Sequence, residues 1–133
     1  QIVFQDLTSG TASVSCLLRV HAGGAYQTTT YVSATNYGSG STSASLATTA
    51  SIPCSVAGST GTTVPMTASI RVSRPSSTAA AKIWNGTGVS FNCTNVCTAT
   101  FGGYFNSTAA IDGFQVLMSS GTFSGKVKIY GRL

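Results

Sequence analysis

Few side chains in this sequence could do chemistry. One imidazole, His21, and two carboxylates, Asp6 and Asp112, are its only near-neutral acid–base groups, and Glu is absent. A Ser-His-Asp relay can be written on paper for so Ser-rich a chain, but no G-x-S-x-G elbow occurs to present a nucleophile. Asp6 in "FQDLTSG" and Asp112 in "AAIDGF" sit beside turn-forming residues and read as carboxylates bonded to local backbone. His21 closes an alternating segment and reads as a solvated side chain. Glycoside cleavage would need both carboxylates in one cleft at a defined separation. With so little to fill an active site, the chain is expected not to be an enzyme and to carry no cofactor.

Metal chemistry is no better served. Cys16, Cys54, Cys93 and Cys97 lack the paired C-x-x-C knuckles and companion histidines of a zinc site. There is no acidic calcium loop and no Gly-rich phosphate cradle. Cys93 and Cys97 flank "TNV", a span short enough for a local disulfide if the chain turns there. Cys16 falls on the apolar side of an alternating run and reads as a small core residue.

Recognition is the remaining chemistry. Tyr26, Tyr31, Tyr37, Trp84, Tyr104 and Phe105 lie in or near turn-rich stretches, where rings either stack on sugars or pack a core or interface. The stretches 31–40 and 84–88, with Tyr31, Tyr37, Trp84 and Asn85, are the candidate glycan or receptor contacts, because loops on a rigid scaffold are the usual home of recognition. Asn85, Asn92 and Asn106 open N-x-S/T sequons, but Ser and Thr make up close to a third of the chain and such matches arise by chance. The seven basic residues are dispersed, without the dense stripe that nucleic acid requires. A weakly cationic surface suits an anionic partner such as a shell, a phosphorylated glycan or a lipid head-group layer. No apolar stretch approaches the ~20 residues of a membrane-spanning helix, and no signal peptide is expected within residues 1–133.

The elements that must position these residues are set by a thinly charged composition. Only nine side chains are formally charged, seven basic and two acidic, for a net charge of +5. A folded monomer of 13.5 kDa exposes roughly 6,500 Å², so the surface must consist of Ser, Thr, Asn, Gln, backbone and apolar area. Such a surface is prone to associate, which points to a subunit buried against copies of itself. Residues 1–133 have the size of a single domain. The chain opens on Gln1, and an N-terminal segment is expected before it.

Apolar residues alternate along the chain and do not recur at helical spacing. Val14, Cys16, Leu18 and Val20 share one side of a strand; Met66, Ala68, Ile70 and Val72 share another, with Arg71 outward. Phe114, Val116 and Met118 do the same, and Val127 and Ile129 face inward between Lys126 and Lys128. "FGGY" at Phe101–Tyr104 and "WNGT" at Trp84–Thr87 carry hairpin dipeptides. Pro53, Pro65 and Pro75 punctuate strand ends. "GSGSTSAS" from Gly38 reads as a crossing loop or a barely patterned edge. The pattern predicts an all-β, jelly-roll-like antiparallel β-sandwich without significant helix.

The last third, "STAAIDGFQVLMSSGTFSGKVKIYGRL", resembles the closing segment of bacteriophage virion β-domains: fibre, spike and capsid-decoration proteins. The likeness lies in Ile111, Gly113 and Phe114, then Ser119, Ser120 and Gly121, then Gly125, Val127, Ile129, Tyr130 and Gly131. "MTASIRVSRPSSTAAAKI" is similar to an internal strand and turn of the same group through Ile70, Pro75 and Lys82, while the Y-R-W that usually follows the early core strand is missing. The resemblance implies a homotrimeric domain on the exterior of a phage particle, in contact with other virion proteins, with no enzyme activity and no cofactor. It covers both structural modules and receptor-binding tips that recognise host surface glycan. A secreted adhesin or carbohydrate-binding module is the remaining alternative. The last strand is expected to lie in the core of the sandwich.

Overall fold

The computed structural model describes residues 1–38, 42–55, 62, 64–91 and 96–131, and within these the side chains of all but 37, 38, 42–49 and 91. The strands are β1 (Ile2–Ser9), β2 (Cys16–Ala22), β3 (Ala25–Tyr26), β4 (Tyr31–Gly38), β5 (Thr42–Thr49), β6 (Ile52–Pro53), β7 (Met66–Val72), β8 (Lys82–Phe91), β9 (Val96–Phe105), β10 (Ile111–Met118) and β11 (Phe123–Ile129). Among the described residues there is no helix. A seven-stranded sheet runs β11-β1-β7-β8-β9-β4-β5, and a four-stranded sheet runs β10-β2-β3 with β6 also on β2. The strand pairs are antiparallel, so the expected all-β antiparallel sandwich is the fold.

Alternation builds the core between the two sheets. Phe4 and Ile2 from β1, Ala68 and Ile70 from β7, Trp84 from β8 and Phe101 and Phe105 from β9 are buried. Cys16, Leu18, Val20 and Ala22 from β2 and Ile52 from β6 meet them in the same cluster. At about 25 cal/mol per Å² of apolar surface, burial of this kind is the main favourable term in the fold.

Two turn signals in the sequence serve another purpose. "WNGT" lies inside β8 and "FGGY" inside β9, where Trp84 stands opposite Gly103 and Gly86 opposite Phe101. Each inward aromatic occupies the space that a missing Cβ leaves on the neighbouring strand. A Cβ at Gly86 would come within 2.5 Å of the Phe101 ring. These glycines are notches for rings, and the hairpin expected at each is corrected to continuous strand. The Gly-Gly hairpin lies elsewhere, between β2 and β3. There Ala22 pairs with Ala25 and Gly23 and Gly24 have φ of 62° and 85°, as a type I′ turn requires.

The last strand is also corrected. Among the described residues β11 pairs only with β1 and forms an edge of the larger sheet, and every residue of it is exposed. Val127 and Ile129 stand opposite Phe4 and Ile2, hence on the core side. They remain 36% and 61% accessible because that side is not covered there. Gly125, at φ 128°, lies within a register shift between β1 and β11. A Cβ there would meet the Asp6 carbonyl at 2.6 Å, which gives the resemblance motif a steric reason for that glycine.

Candidate recognition face

The outward face of the larger sheet is paved by the residues that alternate with the core. One rung reads Val3, Ser69, Thr87, Thr100 and Asn36 across β1, β7, β8, β9 and β4. The next reads Arg71, Asn85, Gly102 and Ala34. Small side chains leave two adjoining depressions of about 660 and 550 Å³. Asn36, Ser69, Thr87 and Thr100 line both, and Arg71, Asn85 and Gly102 line the first. The Gln1 amide donates to the Ser69 hydroxyl at 2.7 Å on the same face.

This trough offers hydroxyls, carboxamides and one guanidinium over a glycine floor. Its lining contains no carboxylate and no imidazole, so it has the means to hydrogen-bond a polyol and to attract an acidic substituent, but no group for proton transfer. Arg71 and Asn85 are adjacent across the β7–β8 ladder, an arrangement fixed by backbone pairing and therefore pre-organised.

The candidate contact residues divide. Asn85 is exposed and lies in the trough. Trp84, its neighbour, points the other way into the core and is 1% exposed, because successive side chains of a strand face opposite sides. Tyr31 is also corrected from exposed ring to core residue. It begins β4, packs 5.2 Å from Phe105, accepts from Val20 N–H at 2.9 Å and donates to Gln27 O at 3.2 Å. Burial raises its phenol above the usual range, against smaller lowering effects of the Val20 bond and Arg19. Tyr37 lies in β4, opposite Ala99 of β9, and its side chain is outside the described residues. Cys93 also lies outside them, and with it the Cys93–Cys97 pairing; Cys97 itself is buried on β9 opposite Ser90.

The acid–base groups take positions that the sequence did not suggest. Asp112 falls at a register shift between β10 and β2 and its carboxylate meets His21 Nδ1 at 2.5 Å. The Tyr26 ring stands edge-on to the imidazole, centroids 5.0 Å apart. Asp112 thus ties two strands together and is not a local turn carboxylate. Among the described residues, no cluster of three or more His, Cys, Asp or Glu is placed to hold a metal.

Nothing in the sequence groups Arg71, Asn36, Ser69, Thr87 and Thr100. The usable signal was "VCTATFGG", where Thr98, Thr100 and Gly102 alternate with Cys97, Ala99 and Phe101. Alternation told which side of β9 faces out, but not which strands lie beside it. No family model matches the chain, and neither a curated protein nor a solved structure does.

Proposed function

We propose that this chain is a non-catalytic, jelly-roll-like module on the exterior of a phage particle, a fibre-head or capsid-decoration domain that works as a homotrimer against other virion proteins. The observation that carries the reading is the β11 edge. Phe123, Val127 and Ile129 form an apolar row, 38%, 36% and 61% accessible, on a strand whose second backbone edge pairs with no other described strand. An isolated edge of this kind is a liability that proteins cover or guard. Lys126 and Lys128 stand opposite Gln5 and Val3 on the other side of the strand and disfavour indiscriminate edge pairing. The apolar side is left as the surface that a copy would cover.

Light scattering coupled to size exclusion tests it. The expected mass is about three times 13.5 kDa, falling to one chain in the V127K/I129K double variant with little change in melting temperature, since both side chains are already in contact with solvent. A monomeric wild-type chain at micromolar concentration overturns the trimer.

The trough favours a second reading, a receptor-binding tip that takes host surface glycan on the sheet face. Arg71 with no acidic neighbour in the lining suits a glycan bearing an acidic group. Excess soluble domain would then block particle attachment to host cells, and Arg71→Ala with Asn85→Ala would release the block. A decoration module would block nothing and would rebind stripped particles.

A further inference from the structure

We propose that Cys16 and Cys54 form a cross-strand disulfide that locks β6 to β2 inside the sandwich. This inference is independent of the functional reading above. β2 and β6 pair antiparallel with Leu17 opposite Pro53 and Leu18 opposite Ile52. The same register, continued by one residue, sets Cys16 opposite Cys54, and Cys54 N–H donates to Cys16 O at 2.9 Å. Directly opposed residues in an antiparallel ladder have Cα atoms about 4.5–5.5 Å apart and side chains on one face. A disulfide needs about 4.4–6.8 Å. Both cysteines are thiols here and fully buried, at 0% exposure.

Between the sheets Cys54 Sγ donates to Ile52 O at 3.5 Å. Burial, then the Cys16 hydrogen bond and charge, pushes the Cys54 thiol well above the usual range. A thiol held in this way is a poor nucleophile and is inert while the site stays closed. Access must come through local opening, and β6 is a strand of two residues, the sort of element that opens at low free-energy cost. The reaction is exchange with a low-molecular-weight disulfide of the glutathione class. One cysteine thiolate attacks it, forms a mixed disulfide and releases one small thiol. The second cysteine thiolate attacks the protein-bound sulfur and releases the other. Two protein S–H bonds become one S–S bond, the external disulfide is reduced to two thiols, and the two protons end on those thiols.

The bridge would close a ring over residues 17–53, which holds β3, β4 and β5, and so staples the β4–β5 end of the larger sheet to the smaller one. Constraint of a loop of roughly 40 residues in the unfolded chain is stabilising. The bond would form as the protein leaves a reducing compartment.

The test is oxidation of the full chain by oxidised glutathione, in the folded state and during refolding from denaturant, with peptide mapping by mass. The expected result is a peptide linking Cys16 to Cys54, loss of two hydrogens, and a melting temperature raised by about 10 °C that dithiothreitol reverses. Refolding gives the thiols full access, so burial cannot hide a negative result. A linkage through Cys93 or Cys97, a stable glutathione adduct on Cys16 or Cys54 without cross-linking, or no oxidation after refolding would each overturn the proposal. Cys54→Ala should lose both the linked peptide and the oxidant-dependent shift. If that variant does not fold, the wild-type refolding result decides.

Discussion

Trp84 on β8 faces Gly103 on β9, and a Cβ placed on that glycine would stand 2.7 Å from the indole Cζ2 while colliding with the Val32 carbonyl oxygen of β4. The backbone collision cannot be relieved by a change of rotamer. Gly103→Ala should therefore destabilise the fold by about 3 kcal/mol or more, at the upper end of overpacking costs. Gly102→Ala is the contrasting case. Its Cβ would lie 3.5 Å from Trp84 O, an ordinary van der Waals contact on the outward face, and its effect should stay within about 0.5 kcal/mol. Urea unfolding followed by the fluorescence of Trp84, the sole tryptophan, measures both. Equal costs would contradict the notch.

The same indole is fully buried with its Nε1 unpartnered. Replacement by Phe removes ring volume but also removes an unsatisfied donor, whose burial costs about 1–3 kcal/mol. Trp84→Phe should thus lose about 1 kcal/mol or less, whereas Trp84→Ala should lose about 3–5 kcal/mol. Circular dichroism during denaturation separates them, and a Trp84→Ala variant as stable as wild type would return this residue to the surface.

Tyr31 predicts a response to alkali. Its phenol is raised in the folded protein above the ordinary value of 10.0 by burial. Between those two values the unfolded chain gives up the proton and the folded chain keeps it, so stability is whole below pH 10.0 and falls as pH rises from there through the folded pKa. Tyr31→Phe should remove that part of the alkaline loss. It should also cost about 1–3 kcal/mol at neutral pH, because Val20 N–H is left buried without its acceptor. Paired chemical denaturation at neutral and alkaline pH measures the difference, and an unchanged alkaline slope would count against it.

Lys82 is fully buried, with its amino group donating to Ser107 O at 3.1 Å. The two carboxylates of the chain lie elsewhere, Asp112 on His21 and Asp6 exposed on β1. A methionine keeps the stem and drops the polar head with its desolvation cost. Lys82→Met should lie within about 1 kcal/mol of wild type or above it, while Lys82→Ala leaves a cavity worth about 2–4 kcal/mol. Thermal melts of the two variants decide. A Met variant as damaged as the Ala variant would show that the amino group itself holds the strand end.

Period-two alternation was enough to read strands at β2, β7 and β10, the absence of helix and the two-layer class, because which side of a strand is apolar is a local property. The same alternation across Trp84, Asn85 and Gly86 was hidden by an Asn-Gly dipeptide that signals a turn as strongly as it permits a notch. Gly23-Gly24 and Gly102-Gly103 are identical pairs, and only the strand beside each decided that one bends the chain and the other admits a ring. In sequence Asn85 reads as part of a turn-rich stretch; that it shares one sheet face with Arg71, Thr87 and Thr100 depended on β7, β8 and β9 being neighbours, which no local pattern encodes. Cys16 and Cys54 stand far apart along the chain, and β6 brings them together. The terminal strand reads as apolar on one side in sequence, and it does so in the fold as well. Whether that side is covered depends on how far the smaller sheet extends, and it stops short of β11.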